Sequence, residues 1–154
     1  MKELNIRPYQ VDDYELVLRL FNTNVPSYFA EEERNDLIEY LNNEREEYFV
    51  IEQDTHLVGA GGINYKGNDA YISWDFVDAS LQGLGIGKQL LSHRLEIIKS
   101  NKTVERIIVR TSQFAFKFYE KNGFVAIETH KDYWAPGIDM IYMTYKDKKV
   151  NNGH

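Results

Sequence analysis

A glycine-rich segment is the part of the chain whose residue types point most directly to chemistry. It reads Gln82-Gly83-Leu84-Gly85-Ile86-Gly87-Lys88 and joins a strand-like run to an amphipathic helical pattern. Glycine allows sharp turns and lets backbone N–H groups approach a ligand closely. The first turn of the following helix adds unsatisfied N–H groups and a partial positive charge. The segment therefore predicts an anion site, with phosphate or pyrophosphate as the expected anion.

Two common phosphate-binding loops do not fit this spacing. A P-loop places Ser or Thr directly after its lysine, and here Lys88 is followed by Gln89. The dinucleotide fingerprint G-x-G-x-x-G would need a further glycine at position 88 or 90, which are Lys88 and Leu90. That fingerprint also follows the first strand of a βαβ unit, whereas this segment follows a hairpin-rich region. Both interpretations are therefore disfavoured.

Two segments resemble the signatures of one family. Gln82-x-x-Gly85-x-Gly87 resembles the Q/R-x-x-G-x-G/A loop of the GNAT superfamily of N-acetyltransferases, in which the loop follows a strand and opens a helix. The segment 112–124, SQFAFKFYEKNGF, resembles the second signature of that family, N-x-x-A-x-x-x-Y-E-K-x-G-F. Since two separate segments match, the chain is identified as a member of the superfamily over roughly Leu4 to Tyr145.

The resemblance implies acetyl-CoA as the co-substrate. In this family the strand before the loop separates from its neighbour and leaves a V-shaped gap for the pantetheine arm; here that strand is Tyr71–Val77. The loop N–H groups would surround the pyrophosphate, while the side chains of Leu84 and Ile86 would pack. Ser112 stands where the family has Asn, so cofactor contact and helix capping are equal alternatives for it. The implied cofactor-binding residues are Phe76, Val77, Gln82, Gly83, Leu84, Gly85, Ile86, Gly87, Lys88, Ser112 and Tyr119.

The same resemblance assigns the catalytic groups. Tyr119 takes the place of the family's general acid, which protonates the departing thiolate. The family often has a carboxylate base near the position of Tyr71, and Asp75 is the nearest substitute because regular alternation puts it on the same face of the strand. Asp78 and Glu128 are the alternatives for the base. Much of the rate would come from holding amine and thioester in attack geometry.

The family usually builds the acceptor pocket from the loop between the first two helices and from the last strands, here Val25–Phe29 and His130–Asp139. Asp132 and Asp139 would attract an ammonium group. Aromatic walls with acidic groups favour a small or peptidyl amine over a nucleotide sugar. Packing of a loop or of a dimer contact is the alternative role of the aromatics. The candidate substrate residues are Tyr28, Phe29, Trp74, Tyr133 and Trp134.

The implied reaction is transfer of acetyl from acetyl-CoA to a primary amine of a small molecule or peptide, by direct attack in a ternary complex. The absence of Cys is compatible with a route that has no covalent acyl-enzyme. The alternatives are a non-catalytic acyl-CoA-binding or regulatory domain on the same fold, and a protein-modifying acetyltransferase. Homodimers are common in the family, so a homodimer is a candidate assembly.

Composition limits the other classes of partner. The chain has 154 residues, 43% of them hydrophobic, which suits one domain with a single core. No apolar run approaches the roughly 18 residues of a membrane span. Residues 1–5 show no secretion signal, so we expect a cytoplasmic protein without a membrane partner. The net charge of −6 argues against nucleic acid. Without Cys, and with four His residues that lack metal spacing, no metal is expected.

The elements that must position these residues follow from periodicity and turn signals. The order is strand, two helices, three strands, helix, strand, helix and two strands. This order predicts one α/β (α+β) GNAT-like domain over 1–146 and a polar tail over 147–154, with a mixed, mostly antiparallel sheet of about six or seven strands flanked by about four helices.

The predicted helices include one with Leu16, Val17, Leu20 and Phe21 on one face, a second over Ala30–Asn43, a third from Ile86 to Ile98, and a short one carrying Phe114, Phe118 and Tyr119. The last two strands are predicted over Phe124–Thr129 and Met140–Tyr145, separated by an aromatic loop with Tyr133, Trp134 and Pro136.

Overall fold

Seven strands form one mixed sheet in the computed structural model, which describes residues 3–146. The predicted tail 147–154 lies outside these residues. The strands are β1 (Leu4–Pro8), β2 (Glu47–Gln53), β3 (His56–Lys66), β4 (Asp69–Val77), β5 (Arg106–Thr111), β6 (Phe124–Ala135) and β7 (Ile138–Tyr145). Their order is β1-β2-β3-β4-β5-β7-β6; β4 and β5 run parallel and the other neighbours antiparallel. The predicted sheet is confirmed.

Four α-helices within residues 3–146 cover this sheet, as predicted. They are α1 (Tyr14–Asn22), α2 (Glu33–Glu39), α3 (Ile86–Ser100) and α4 (Phe116–Lys121), and α2 continues into one π turn, Tyr40–Glu44. α1 and α2 pack on one face of the sheet, α3 and α4 on the other, and each face has its own buried apolar cluster. Within the described residues no helix is both long and apolar enough to cross a membrane.

Three helix details differ from the sequence prediction. Leu16 was predicted to face inward on α1 but is 41% exposed, because the buried stripe contains Leu18 instead. α2 begins at Glu33 and not at Ala30, because residues 30–32 form a turn in which the Glu33 carboxylate accepts the Ala30 N–H at 2.8 Å. Phe114 lies exposed in the turn that precedes α4 rather than on the helix.

The parallel pair β4–β5 opens part-way along its length. Its register runs from Asp69 opposite Arg106 to Ile72 opposite Val109, and no further pairing follows. β4 nevertheless continues to Val77. Five residues of β4 therefore extend past the last pair on this side and leave a gap between the strands. This is the splayed arrangement that the resemblance implied.

A β-bulge in β4 changes which face its later residues present. Ala60 pairs with Phe76 but Gly62 pairs with Ser73, so two β4 residues stand opposite one residue of β3. As a result Ile72 packs in the cluster with α3 and α4, whereas Phe76 packs in the cluster with α1 and α2, although both have even numbers. The extra residue is Trp74, whose φ is +46°.

The predicted end of β6 is wrong. The strand continues through the supposed aromatic loop as far as Ala135, and a turn at Pro136-Gly137 leads directly into β7. β6 is the last strand of the sheet, and most of its residues are exposed. Because an edge strand of this kind needs no apolar alternation, its polar middle around Lys131 resembled a loop in the sequence.

Candidate active site

A cavity of about 1300 Å³ runs from the glycine segment, along the gap between β4 and β5, to the region between α1 and α2. It collects nearly all of the cofactor-binding residues expected from the sequence. Those that line it are Phe76, Val77, Gln82, Gly83, Gly85, Ile86, Gly87, Lys88, Ser112 and Tyr119. Leu84 does not line the cavity and is 68% exposed, so the expectation that its side chain packs is wrong.

The glycine segment has the backbone that an anion site requires. Gly83 and Gly85 have φ of +83° and +86°, which strongly favour glycine. A Cβ added to either residue would meet no atom within 4 Å, so the space above the loop is open. The first bond of α3 runs from the Gln89 N–H to the Gly85 carbonyl at 3.1 Å. The N–H groups of residues 86–88 therefore lie outside the helical ladder, where a phosphate can accept them.

Asn24 is a residue that sequence reasoning missed at this site. Its side chain is buried at the end of α1, and its amide nitrogen donates to the Val77 carbonyl at 2.9 Å. The Gln82 amide in turn donates to the Asn24 carbonyl oxygen at 3.4 Å. Asn24 thus ties α1 to the end of β4 and to the first residue of the loop. Asn24 lies just before the predicted loop Val25–Phe29 and belongs to no recognised motif, so no sequence signal pointed to this link.

Tyr119 lies on α4 with its side chain buried beneath the cavity. Its hydroxyl donates a 2.7 Å hydrogen bond to Oδ2 of Asp75. Burial, reinforced by the adjacent Asp75 carboxylate, raises the pKa of the Tyr119 phenol well above its usual value. The phenol is therefore neutral at physiological pH and carries the proton that a general acid must supply.

Asp75 also contacts a buried arginine. Nη2 of Arg94 lies 2.8 Å from Oδ2 of Asp75, as an ion pair whose angles fall outside those of a hydrogen bond. Asp75 therefore lies on the α3–α4 face, and the prediction that it shares a face with Tyr71 is wrong because the bulge reverses the alternation. Removing one partner of a buried ion pair costs about 3–5 kcal/mol, so the two side chains depend on each other.

Ser112 takes part in a turn. Its Oγ accepts the Phe114 N–H at 3.2 Å, and its carbonyl accepts the Phe116 N–H at 2.9 Å at the start of α4. These bonds stabilise the turn before α4, whose N-cap residue is Ala115 without a side-chain cap, so the expected capping role of Ser112 is wrong. Because Ser112 also lines the cavity, its contact with a cofactor stays a prediction.

Four of the five candidate substrate residues line the other half of the cavity: Tyr28, Phe29, Trp74 and Trp134. The Trp134 indole N–H donates to the Thr111 carbonyl at 3.0 Å and so fixes its ring. Tyr133 is not part of the lining; it is 49% exposed, and Nη1 of Arg110 donates to its hydroxyl at 3.3 Å. Residues alternate in direction along a strand, and this separates Tyr133 from Trp134.

The carboxylates predicted around this half lie elsewhere. Asp132 accepts the Gly137 N–H at 2.7 Å, and Asp139 accepts the Asp132 N–H at 3.0 Å, so both hold the β6–β7 hairpin and lie outside the cavity lining. Asp78 accepts the Ser80 N–H at 2.9 Å and caps a short turn. Glu128 is exposed and pairs with His130. None of these four lines the cavity.

Other acidic side chains surround the acceptor half instead. They are Glu33, Asp36, Glu39, Glu44 and Glu46. Burial raises the pKa of the Glu33 carboxyl, whereas Asp36 and Glu39 are exposed at the rim. Lys88 and Lys121 line the half that contains the glycine loop. Lys66 and Arg110 also line the cavity, so its basic side chains are not confined to the glycine-loop half. Within the part of the chain that the structure describes, no three His, Asp or Glu side chains gather as a metal site.

Comparison with known proteins agrees with this geometry. The family model described as "Acetyltransferase (GNAT) domain" matches residues 19–146, which is most of the chain. The protein therefore belongs to the GNAT acetyltransferase family. N-alpha-acetyltransferase 50 of Danio rerio is 37% identical over 59 residues, which cover 36% of this chain and 35% of that protein. The match thus spans about a third of the length of that curated relative.

Solved structures share the fold at low sequence identity. The ribosomal-protein-S18-alanine N-acetyltransferase of Escherichia coli has a TM-score of 0.77 at 17% identity, with 92% of each chain covered. The spermidine N-acetyltransferase of Vibrio cholerae, solved with CoA and spermine, has a TM-score of 0.70 at 20% identity, with 96% of this chain and 98% of that chain covered. These likenesses establish the fold.

Proposed function

We propose that this protein transfers acetyl from acetyl-CoA to a primary amine of a small molecule or peptide, by direct attack in a ternary complex. The observation that carries the proposal is the position of Tyr119. Its buried, protonated side chain is part of the lining of one continuous cavity that has a glycine loop in one half and aromatic and acidic side chains in the other. Such an arrangement suits a reaction that brings an anionic donor and a cationic acceptor together.

The donor half fits acetyl-CoA. The open space over Gly83 and Gly85, the N–H groups of residues 86–88 and the ammonium group of Lys88 would bind the pyrophosphate. The gap beyond Ile72 on β4 would receive the pantetheine arm, beside Phe76 and Val77. Bound acetyl-CoA supplies the thioester; the chain supplies the orientation and the proton.

The acceptor half fits an amine. Ammonium groups are attracted both by carboxylates and by the faces of aromatic rings. The related folds include an enzyme named for spermidine and one named for the alanine of a ribosomal protein, so small-molecule and peptidyl amines both remain within the proposal. A homodimer and a cytoplasmic location stay predictions.

The proposed chemistry has three steps. The neutral amine nitrogen attacks the thioester carbonyl carbon and forms a tetrahedral intermediate. The C–S bond then breaks and the electron pair leaves on sulfur. The Tyr119 hydroxyl turns its proton from Asp75 to this thiolate, the amine nitrogen loses its extra proton to solvent, and solvent returns a proton to the phenolate. Asp75, predicted as the base, already accepts a hydrogen bond from the Tyr119 hydroxyl and pairs with Arg94, so both of its contacts are with the protein and not with the amine.

Two assays on the purified chain test the proposal. Calorimetric titration with acetyl-CoA, with fragments that lack the pyrophosphate as controls, should give binding that depends on the pyrophosphate. An amine panel with a thiol-release readout should then give turnover for at least one primary amine. Binding without turnover on any amine would favour the non-catalytic acyl-CoA-binding alternative, and no binding at millimolar ligand would reject the proposal.

A further inference from the structure

Arg94 is the largest side chain that is completely buried in the described residues. It occupies the inward face of α3 among Leu90, Leu91, Leu95 and Ile98, where an apolar residue would be expected. An arginine is rarely retained in a core unless its charge is used, because removing a guanidinium from water is costly. Its placement here therefore needs a specific explanation.

The surroundings of Arg94 fix its guanidinium in one position. Nε donates to the Leu90 carbonyl at 3.1 Å, and Nη1 donates to the Gly62 carbonyl at 3.2 Å. A Cβ on Gly61 would lie 2.7 Å from Nη1 and 2.8 Å from Cζ, so only glycine leaves room for the group at this point of β3. The carbonyl groups of Leu90 and Gly62 and the space at Gly61 thus form a preformed binding site for the Arg94 guanidinium.

The β4 bulge directs the Asp75 side chain towards the Arg94 guanidinium. Gly61 is the single residue of β3 that faces the extra residue of β4. The bulge and the binding site for the Arg94 guanidinium therefore lie at the same position in the sheet. Without the bulge, alternation would direct Asp75 to the α1–α2 face. With it, the carboxylate meets Arg94 at 2.8 Å and accepts the Tyr119 hydroxyl at 2.7 Å.

We infer that Arg94 and Asp75 are positioning residues. Arg94 fixes the Asp75 carboxylate, and this carboxylate holds the hydroxyl of Tyr119 at the cavity. This role rests on the acid function proposed above for Tyr119. The chain of contacts links three elements: α3, which opens at the glycine loop, β4, which borders the gap, and α4, which carries the acid. The orientation of the phenol is thereby coupled to the elements that would bind acetyl-CoA.

The network also has a consequence for pH. An amine is nucleophilic only when neutral, which for an alkyl amine means pH values near 10. An ordinary tyrosine would lose its proton in the same range. Burial and the Asp75 carboxylate raise the pKa of Tyr119, while Arg94 lowers it, so the phenol stays protonated where the amine becomes reactive.

The titratable groups around the network come from both faces of the sheet. Asp75 on β4 and Arg94 on α3 act on Tyr119 directly. The hydroxyl of Tyr48 on β2 donates to the Trp74 carbonyl at 2.9 Å. Asp75 and Arg94 also act on the pKa of Tyr48, which lies on the opposite face of the sheet. Tyr40 experiences Arg94 as well, and its hydroxyl donates to Asn64 at 2.6 Å. All three phenols have raised pKa values, so each of them stays neutral near neutral pH.

The test compares Asp75→Asn with Asp69→Asn in the full chain. Asp69 is on the same strand and pairs with Arg106 at 2.8 Å, but it lies outside the cavity lining, so the control makes the same chemical change without touching Tyr119. Asp75→Asn should lower kcat about tenfold or more while the KM for acetyl-CoA stays within about twofold. The alkaline fall of its kcat should also begin at a lower pH than in the unaltered chain, since Tyr119 then faces Arg94 without the carboxylate. Asp69→Asn should change neither quantity.

A second variant covers the case in which Asp75→Asn does not fold. Gly61→Ala keeps both charges but places a Cβ where the guanidinium lies, so it should displace Arg94 and lower kcat in the same direction. Arg94→Lys should retain part of the activity lost in Arg94→Met, because it keeps the charge.

A spectroscopic measurement separates this inference from the proposed function. In protein labelled with [13Cζ]tyrosine, the Tyr119 signal, assigned by its loss in Tyr119→Phe, should titrate at lower pH in Asp75→Asn than in the unaltered chain. This readout needs no turnover, so it can succeed even if no amine is acetylated. An unchanged Tyr119 titration, or a pH profile of Asp75→Asn identical to that of Asp69→Asn, would overturn the inference.

Discussion

The indole ring of Trp74 stacks on the phenyl ring of Phe29, with 6.2 Å between the ring centroids and 23° between the planes. Trp74 belongs to the β4 bulge, whereas Phe29 belongs to the segment between α1 and α2. The stack therefore joins the strand that borders the donor half to the segment that borders the acceptor half. Both rings line the cavity, so their exposed faces are available to a ligand.

We expect Phe29→Ala to weaken the amine and not the donor. Loss of the ring removes one aromatic wall and frees Trp74, and an aromatic pair is worth about 0.5–1.5 kcal/mol beyond its buried area. The KM for the amine should rise about threefold to tenfold. Steady-state kinetics with each substrate varied in turn measures this, together with the Kd for acetyl-CoA by calorimetry. A rise in that Kd of the same size would place Phe29 in the donor half.

Tyr119→Phe should lower kcat by about a hundredfold, because it removes the proton donor for the thiolate. The ring still fills its buried site, so folding and acetyl-CoA binding should be preserved. Rapid-quench or thiol-release kinetics, with calorimetry for the Kd, checks the split. Replacing the acetyl thioester by an activated acetyl donor whose leaving group needs no proton should reduce the difference between variant and parent. Equal rates for both proteins on acetyl-CoA would remove Tyr119 as the acid.

Gly85→Ala should weaken acetyl-CoA binding, with Gly67→Ala as its matched control. Both glycines have positive φ, +86° and +61°, and at neither would a Cβ meet an atom within 4 Å. The backbone strain is thus of the same kind, about 1 kcal/mol. Only the Gly85 methyl group would enter the space where the pyrophosphate is proposed to lie. Calorimetry should show a Kd raised about tenfold for Gly85→Ala and unchanged for Gly67→Ala; equal values would exclude the loop from the donor site.

The sequence predicted those features that depend on local spacing. The glycine loop and α3 were recognisable because their signals lie within about twenty consecutive residues: glycines at positive φ, then Leu90, Leu91 and Ile98 at helical spacing. The splay of β4 from β5 came only with the family resemblance, since nothing in either strand marks where pairing stops.

The positions of Asp75 and Arg94 were not predictable in the same way. A bulge shifts alternation by one residue, and its cause lies in another strand, where Gly61 leaves room for a guanidinium. One signal was available: Arg94 interrupts the apolar face of α3 at a position that periodicity marks as buried. A charge on a buried face requires a partner of opposite charge, but the spacing does not say which of the 24 acidic residues that partner is.

Carboxylates at the rim of the acceptor half should favour amines that carry a second positive charge. Replacing Asp36 and Glu39 together by Asn and Gln should raise the KM for a diamine about twofold to tenfold, and by less for a monoamine, because each exposed charge contributes about 0.2–1 kcal/mol. The matched control is Glu15→Gln with Glu96→Gln, which changes net charge equally at exposed sites outside this cavity. Added salt should reduce the preference. Equal KM values for the two amines would exclude the rim from recognition.

The buried phenols predict a specific loss of stability at alkaline pH. Burial raises the pKa of Tyr48 and Tyr119 well above the ordinary value, so the folded chain keeps protons that the unfolded chain releases. The contribution of each phenol is therefore fully present below pH ~10, and the free energy of unfolding falls by about 1.4 kcal/mol per pH unit for each phenol above it. Urea unfolding between pH 8 and pH 11 measures this slope. Tyr48→Phe should reduce the slope by about 1.4 kcal/mol per pH unit, since phenylalanine has no proton to release. An unaltered slope in Tyr48→Phe would mean that Tyr48 ionises in the folded chain.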